Sequence, residues 1–302
     1  MPNSKSVIAS VALLISTGAN AAYIDTLNGP PSAFRIEREA QKLKKIAPFM
    51  PLQVGDKITV RKSTHKVEHI HDKENAITLV LDDGTLKTLK YADTQKQPYP
   101  VTATEPPNVV TGVMNTFYVW FNRLWRTDIQ TGELITRDGE PRTIKRFIMR
   151  LFKGNNAKLI AGERALHLAW YGGKPRYQVQ VSQIGTEHVL WDQKEIATAE
   201  ITLNKQLITA GHYQVVVTDA RGKTVIGEFT AVTDTPPLFQ YPEAQAIEQS
   251  NLTALSKKTL QAAWLAKQGG WYFEGYQRVA SITGYYPARL VKQGLERGKR
   301  PK

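Results

Sequence analysis

The chain has 302 residues, 41% of them hydrophobic, which is typical of a folded protein long enough for two domains. It contains no cysteine, which excludes disulfide bonds, thiolate metal sites and a lipid-modified cysteine, so a hydrophobic core must stabilise the fold. Its 40 Lys and Arg residues exceed its 27 Asp and Glu residues, and the net charge of +13 indicates either an anionic partner or a general basic bias that aids solubility.

Residues 1–21 are predicted to form a cleaved signal peptide. Lys5 gives a positive start, Val7 to Ile15 form an apolar run, and Ala19-Asn20-Ala21 supply the small residues of a cleavage site. The run is much shorter than the ~20 residues that cross a bilayer. We therefore expect a periplasmic mature protein, and export argues against a nucleic-acid partner. The alternative is a buried amino-terminal helix.

Residues 22–50 are predicted to form an amino-terminal helix. The helical pattern lies between Pro31 and Pro51, which close it on both sides, and Ile36, Leu43 and Ile46 share one helical face. Phe34 falls off that face. We therefore expect an amphipathic helix ahead of the first β-rich segment.

Residues 51–94 are predicted to form a small β-unit, because apolar and polar residues mostly alternate there. Asp83-Gly84 lies between two apolar runs and is a strong hairpin signal. The segments "PLQVGDKITV" and "AITLVLDDGTLKTL" resemble the FecR-like periplasmic domain, in which a "GD.I" turn leads into "L.L.DGT..L" strands. The resemblance implies a role in envelope signalling, although the chain shows neither the anti-sigma segment nor the membrane helix of FecR itself.

Residues 95–108 are rich in proline and threonine and are predicted to be a linker. A helix and a hairpin are then expected over residues 109–161. The helix, Val109 to Trp125, carries one apolar face, which consists of Val113, Phe117, Trp120, Phe121 and Leu124. Such a face packs in a core more often than against lipid, and the choice between core and membrane stays open.

The segment from Arg142 to Gly154 combines apolar residues at helical spacing with four cations. The cations are Arg142, Lys145, Arg146 and Arg150. A basic amphipathic helix can bind an anionic membrane or an acidic partner, so these four residues are candidate contacts with an anionic partner. The alternative is a surface helix with a solvated charged side.

Residues 162–233 contain about six short alternating strands separated by turns, which predicts an all-β sandwich. Gly172-Gly173-Lys174 raises the alternative of a phosphate-binding loop. Pro175 and an alternating strand follow, however, in place of the helix and hydroxyl ligand that such a loop needs, so we predict a β-turn. Gly211 and Tyr213, ahead of a valine-rich strand, predict a tyrosine corner.

Two stretches of this block, "LHLAWYGGKPRYQVQV" and "ITAGHYQVVVTDARGKTVIGEF", resemble an immunoglobulin- or fibronectin-like domain of the exported kind. With the later "LQAAWLAKQGGWYFEGYQRVA", the order of blocks looks like that of a group of exported bacterial proteins. The resemblance implies a sandwich fold and an envelope-linked role. It carries over no functional residue, because the matching motifs are structural.

Residues 234–302 are predicted to form helices and a basic tail. Asn251 is the expected cap of a helix from Leu252 to about Lys267, and Gly269-Gly270 should end it. A second helix follows, and a third begins near Pro287. The tail is expected to fray.

The chain offers few candidates for chemistry. His65, His69 and His71 are candidate metal ligands on a strand, although a solvated strand edge explains them better. The sequence contains no G-x-S-x-G motif and no cysteine nucleophile. Carboxylates lie in turn contexts, where aspartate is expected for backbone reasons: Asp82, Asp83, Asp138 and Asp219. We therefore expect no enzyme and no cofactor.

The fold class expected from these patterns is mainly β with α, in several domains: a FecR-like β-unit, an Ig-like β-sandwich and a carboxyl-terminal helical segment. The expected function is that of a non-enzymatic periplasmic binding or scaffold protein, which presents loops and strand edges to an envelope protein partner. An accessory or sensor component of an envelope signalling system is the alternative. An envelope enzyme acting on glycan or peptide is a third hypothesis.

Overall fold

The computed structural model describes residues 20–62, 74–81, 83–102, 117–124, 146–152, 157–234, 236, 238 and 240–301. Strands dominate its first two thirds and helices its last part, which confirms a mainly β fold with α-helices. Of the described helices, none has both the length and the apolar character needed to cross a membrane.

The amino-terminal β-unit contains two four-stranded sheets, ordered β4-β1-β6-β7 and β3-β2-β5-β8. The strands are β1 (Asn20–Asn28), β2 (Phe34–Arg38), β3 (Gln41–Lys42), β4 (Pro51–Gln53), β5 (Lys57–Val60), β6 (Ala76–Leu81), β7 (Leu86–Lys90) and β8 (Tyr99–Pro100), and a short helix α1 (Tyr91–Thr94) follows β7. The predicted hairpin is confirmed, because β6 and β7 pair antiparallel around Asp83-Gly84. Gly84 has a φ of 82°, a conformation that favours glycine.

The helix predicted over residues 22–50 is wrong, because this segment forms strands. In β2 the side chains of Phe34 and Ile36 are buried, while Arg35 between them is exposed, so the true period is two. Pairing of β2 with β5 stabilises the extended conformation. Glu39 and Ala40 then adopt positive φ angles of 49° and 61°, which no helix accommodates.

Residues 117–124 form helix α2, as predicted, and its apolar face packs in the core. Phe117, Trp120, Phe121 and Leu124 are all buried, whereas Val113 lies outside the described residues. The ring of Phe121 lies 4.6 Å from that of Phe49, centroid to centroid, in an edge-on arrangement. The four described residues therefore belong to the protein core.

The basic segment is not an α-helix where it is described. Ile148 forms an isolated antiparallel bridge with Tyr171, and Arg150–Phe152 form a single 3-10 turn. Contact with the sandwich explains this irregular course, because Phe152 lies on Gly227, where a Cβ atom would come within 2.2 Å of its ring. The hairpin predicted before this segment lies outside the described residues.

Residues 157–232 form seven strands in two sheets, ordered β12-β11-β14-β15-β9 and β10-β13. The strands are β9 (Lys158–Ile160), β10 (Gly162–Ala169), β11 (Tyr177–Gln183), β12 (Val189–Ile196), β13 (Glu200–Ile208), β14 (Gly211–Thr218) and β15 (Thr224–Val232). Buried residues of both sheets, such as Leu166, Val179 and Val215, belong to one core, so the predicted alternation is confirmed.

Two predicted turn features of this unit are confirmed. The Tyr213 hydroxyl donates a 2.9 Å hydrogen bond to the Thr209 carbonyl, which is the geometry of a tyrosine corner. Gly172 and Gly173 connect β10 to β11 with φ angles of 73° and 75°. The glycine pair is therefore a turn between strands.

The carboxyl-terminal part contains four helices, α3 (Pro242–Gln249), α4 (Ala254–Lys267), α5 (Tyr272–Ala280) and α6 (Tyr286–Glu296). Helix α3 was not predicted. The expected cap Asn251 is wrong, because the Thr253 side chain accepts the hydrogen bond from the Ser256 N–H. The first part of the predicted tail belongs to α6, and beyond it the Lys299 N–H donates to the Gly294 carbonyl at 2.9 Å.

Candidate functional site

The open edge of β10 is closed by a side chain of α5. The N–H of His167 donates to Gln277 Oε1 at 2.9 Å, and Gln277 Nε2 donates to the His167 carbonyl at 2.7 Å. Gln277 is buried, so its amide takes the place of a neighbouring strand. Close by, the buried Glu274 accepts hydrogen bonds from the Arg164 guanidinium at 2.8 Å and the Ile160 N–H at 3.2 Å.

The edges of β13 and β12, on the same side of the sandwich, are also poorly suited to pairing with a further strand. Along β13, the Glu200 carbonyl accepts from the Thr198 hydroxyl at 2.9 Å, and the Asn204 carbonyl accepts from the Trp191 indole at 3.2 Å. Edge strand β12 is irregular, and its Glu195 has a φ of 58°. These edges are poor templates for an added strand, which argues against the expectation that they receive a partner.

A pocket of about 220 Å³ lies where the outer face of β10 and β13 meets α5 and α6. Its lining consists of His167, Leu168, Thr198, Glu200, Ile201, Thr202, Tyr276, Ala280 and Lys292. Alternation along the strands places His167, Glu200 and Thr202 on the outer face, because Leu166 and Leu203 occupy the core. We call this cavity the seam pocket.

Lys292 carries the positive charge of the seam pocket. Its Nζ lies 2.7 Å from Glu200 Oε2 and 3.6 Å from Glu296 Oε1, one helical turn away. Burial opposes the ammonium form, but the hydrogen bond to Glu200 and the charge of Glu296 outweigh it and raise the pKa of Lys292. The side chain is therefore a protonated hydrogen-bond donor at neutral pH.

His167 faces the pocket as a neutral imidazole. Burial lowers its pKa from the ordinary value of 6.5, and the nearby charges of Lys292 and Arg164 lower it further. Its Nδ1 lies 2.9 Å from the Thr202 hydroxyl across the strand pair. The imidazole and the hydroxyl can each donate or accept a hydrogen bond, so together they suit a polar ligand.

Tyr276, which lines the pocket, belongs to a hydrogen-bonded pair between neighbouring helices. The Tyr276 hydroxyl donates to Glu296 Oε1 at 3.1 Å. Burial raises the pKa of Glu296, although the charge of Lys292 opposes this shift. Burial also raises the pKa of Tyr276, so the phenol remains protonated and holds Glu296 in place.

These groups can bind, but they are not arranged for covalent catalysis. Lys292 is protonated between two carboxylates and is therefore no nucleophile. In the described part of the chain, no carboxylate accepts a hydrogen bond from His167 to orient it as a base toward Thr202. What remains is a small polar cavity with donors and acceptors of both charge signs.

The structure describes only two of the four cations of the predicted anionic-partner site. Arg142 and Lys145 lie outside the described residues, whereas Arg146 and Arg150 are exposed. Arg150 Nη1 lies 3.4 Å from the Arg297 carbonyl, near the carboxyl end of α6. This arrangement does not connect Arg150 with the seam pocket.

The other candidate residues are either turn residues or lie outside the described ranges. His65, His69 and His71 lie outside the described ranges, and within those ranges no three metal-binding side chains converge. Asp219 has the predicted turn role, because it accepts hydrogen bonds from the N–H groups of Lys174, Arg221 and Lys223. Burial opposes its charge, but the hydrogen bonds from Arg221 and these backbone groups lower the pKa of Asp219 to about 2.

Sequence reasoning missed the residues of the seam pocket. The i, i+4 spacing of Lys292 and Glu296 was visible and indicates an ion pair on a helix. Nothing in the sequence placed this pair next to His167, which lies 125 positions earlier. No protein-family model, no curated protein and no solved structure matches the chain.

Proposed function

We propose that this protein is an exported, non-enzymatic binding or scaffold protein of the bacterial envelope. The observation that carries the binding role is the seam pocket, in which Lys292, Glu200 and the His167–Thr202 pair face one cavity. Export is supported by the charged start, apolar run and A-x-A exit of the first 21 residues.

The fold around the pocket favours a rigid module. Helix α5 is held to β10 by the amide of Gln277 and the carboxylate of Glu274, so the pocket walls are fixed before a ligand arrives. The tyrosine corner and the strand order support an immunoglobulin-like identity for this sandwich.

The volume and polarity of the seam pocket limit its ligand. A volume of about 220 Å³ is below the range of drug-sized ligand sites, so the occupant is small or is the end of a longer chain. The ammonium of Lys292 suits a carboxylate, and the carboxylate of Glu200 suits an amine or amide donor. A short peptide, or the end of a peptide, can offer a carboxylate to Lys292 and an amine or amide donor to Glu200.

A titration of the full chain with alanyl-alanine tests the pocket, with backbone amide shifts as the readout. We expect saturable shifts at His167 and Thr202. Glu200→Gln and Thr202→Val should each weaken binding about tenfold, since the first removes the negative charge that pairs with the amine of the dipeptide and the second removes a hydrogen-bonding hydroxyl. Glu195→Gln on the exposed β12 is the matched control and should bind normally. No saturable shift at millimolar dipeptide, or equal affinity in all variants, would contradict the pocket assignment.

The second candidate, an accessory or sensor component of envelope signalling, is favoured by the amino-terminal β-unit. Its "GD" turn is structurally specific: Gly55 has a φ of 88°, and the buried Asp56 accepts two 2.8 Å hydrogen bonds from Arg38. This supports a FecR-like identity. Pulldown from fractionated envelopes separates the hypotheses, because a sensor protein as partner favours signalling, whereas retention on the sacculus without a partner favours an enzyme.

A further inference from the structure

Two carboxylates and one ammonium meet at the seam pocket, and this imbalance bears on which end of a peptide the pocket binds. Lys292 Nζ lies between Glu200, at 2.7 Å, and Glu296, at 3.6 Å. His167 adds no positive charge, because burial and the nearby cations lower its pKa. Arg164, one of those cations, does not line the pocket and has an ion pair of its own. Lys292 is therefore outnumbered by carboxylates.

The ammonium of Lys292 already has charged partners on two sides. An ammonium has three N–H donors, and Glu200 and Glu296 face two of them. A ligand carboxylate would either displace Glu200 or lie close to both carboxylates, and each of these is unfavourable. The third N–H can donate to an uncharged acceptor, such as a peptide carbonyl, without charge repulsion. Lys292 is therefore better suited to a carbonyl than to a carboxylate.

The carboxylate of Glu200, in contrast, has room for a cation. Its side chain is 57% exposed, and only Oε2 accepts a hydrogen bond from Lys292. Within the described part of the chain, Oε1 has no hydrogen-bond partner. Because a carboxylate accepts several hydrogen bonds, an incoming ammonium can bind Oε1 while Lys292 stays in place.

Acceptors for the other N–H groups of an α-ammonium lie beside Glu200. Thr202 is two residues further along β13 and therefore shares the same face of the strand. Its hydroxyl lies 2.9 Å from Nδ1 of His167, and in either direction of that hydrogen bond the hydroxyl keeps a free lone pair. An α-ammonium followed by an amide matches this arrangement, because its carbonyl can reach the third N–H of Lys292.

We propose that the seam pocket selects the amino end of its peptide ligand, with Glu200 as the residue that binds the α-ammonium. This inference rests on the proposed function, because it takes the seam pocket to be the peptide site and specifies which end enters it. Glu200 determines the specificity in this arrangement. Lys292 is a positioning residue that holds Glu200 on the rim of the cavity.

Titration of the full chain with three dipeptides tests the proposal, with the backbone amide shifts of His167 and Thr202 as the readout. Alanyl-alanine amide carries only the ammonium, N-acetyl-alanyl-alanine carries only the carboxylate, and alanyl-alanine carries both. We expect alanyl-alanine amide to bind at least as tightly as alanyl-alanine. N-acetyl-alanyl-alanine should bind about tenfold more weakly, because it cannot form the charged hydrogen bond to Glu200.

A fourth ligand distinguishes the α-ammonium of a peptide from the ammonium of a lysine side chain. Nα-acetyl-lysine methylamide carries its ammonium on a four-carbon stem with no amide beside it. It should bind about tenfold more weakly than alanyl-alanine amide, because it cannot reach Glu200 and offer a carbonyl to Lys292 at the same time. Equal binding of these two ligands would mean that the pocket accepts any primary ammonium, and would overturn the assignment to an amino end.

Substitutions on the two sides of the salt bridge should have different effects. Glu200→Gln should weaken binding of alanyl-alanine amide about tenfold without weakening that of N-acetyl-alanyl-alanine, since only the negative charge is lost. Lys292→Gln should not weaken binding of alanyl-alanine, because it leaves Glu200 free for the ammonium. Glu195→Gln, on the exposed part of β12, is the matched control and should bind all ligands like the wild type. An unchanged amide shift of the core residue Val215 verifies that each variant is folded.

Two results would overturn this inference and leave the pocket assignment intact. The first is binding of N-acetyl-alanyl-alanine as tightly as alanyl-alanine amide. The second is a tenfold loss of alanyl-alanine binding in folded Lys292→Gln, which would make the carboxylate the anchoring group. The absence of saturable shifts with every ligand would instead contradict the pocket itself, and this inference would fail together with the proposed function.

Discussion

Asp25 on β1 accepts a 2.6 Å hydrogen bond from the hydroxyl of Ser256 on α4, across 231 residues of sequence. The same carboxylate oxygen accepts a 2.8 Å hydrogen bond from Tyr285, and the two hydroxyls lie 2.7 Å apart. Asp25, Ser256 and Tyr285 are all buried. This cluster joins the amino-terminal β-unit to the carboxyl-terminal helices.

Removal of the Asp25 carboxylate should destabilise the protein. Asp25→Ala leaves the hydroxyls of Ser256 and Tyr285 without this acceptor in a buried site, and we expect a loss of about 2 kcal/mol in the free energy of unfolding. Asp25→Asn keeps the accepting oxygen and should cost much less. Urea denaturation of both variants measures the difference, and equal costs would contradict the role of the oxygen.

The stability difference between Asp25→Asn and the wild type should depend on pH. Burial raises the pKa of Asp25 above the ordinary value of 3.8, although hydrogen bonds from Ser256 and Tyr285 oppose the shift. Because the folded state holds the proton more tightly than the unfolded state, the cost of ionisation is absent below the unfolded pKa and complete above the folded pKa. The uncharged amide of the Asp25→Asn variant avoids that cost. The stability of this variant relative to wild type should therefore improve from pH 4 to pH 8, and a constant difference would contradict this account.

Both the oxygen and the nitrogen of the Gln277 amide should contribute to the stability of the fold. Gln277→Met preserves the shape but leaves the partly buried N–H and carbonyl of His167 without these partners, and we expect a loss of about 2 kcal/mol. Gln277→Glu keeps the acceptor but cannot donate, and it places a charge in a buried site. Exchange of the His167 amide hydrogen should be faster in Gln277→Met than in Gln277→Glu, and equal rates would argue against the pairing.

The tyrosine corner provides a local test of the sandwich. Tyr213→Phe removes only the hydroxyl that bonds the Thr209 carbonyl at 2.9 Å. We expect a loss of about 1–2 kcal/mol in the free energy of unfolding, because this bond and the 3.1 Å bond between the Tyr213 and Thr209 hydroxyls are lost while the ring packing stays. Tyr241→Phe changes a half-exposed ring outside the sandwich and should have almost no effect. An equal loss in both variants would mean that the hydroxyl has no special role.

The strands that the sequence predicted correctly are those whose apolar and polar residues alternate. Tyr213, Val215 and Val217 alternate in sequence and are buried in the structure, because a sheet with one covered face imposes a period of two. The same rule would have corrected the predicted helix over residues 22–50. Phe34 and Ile36 alternate, but the coincidental helical spacing of Ile36, Leu43 and Ile46 concealed this.

The candidate site could not be predicted from the sequence, because its residues meet only through the topology of the fold. His167 and Thr202 become neighbours through the register of β10 and β13, and Lys292 joins them only when α6 packs beside that sheet. Each residue is ordinary in its own segment, an outward polar group on a strand or a half-buried lysine on a helix. Long-range packing alone gives them a common cavity.

Export should depend on the apolar run near the start of the chain. Replacing Val11-Ala12-Leu13 with three aspartates should leave the precursor in the cytoplasm, because the run would no longer be apolar enough for a signal. Asn3→Lys with Ser4→Lys adds charge only to the positive start and should not block export. Cleavage after Ala21 would give a mature chain that begins at Ala22, whose backbone pairs with both β4 and β6. Fractionation and the mass of the exported protein measure these outcomes, and export of the aspartate variant would refute the signal peptide.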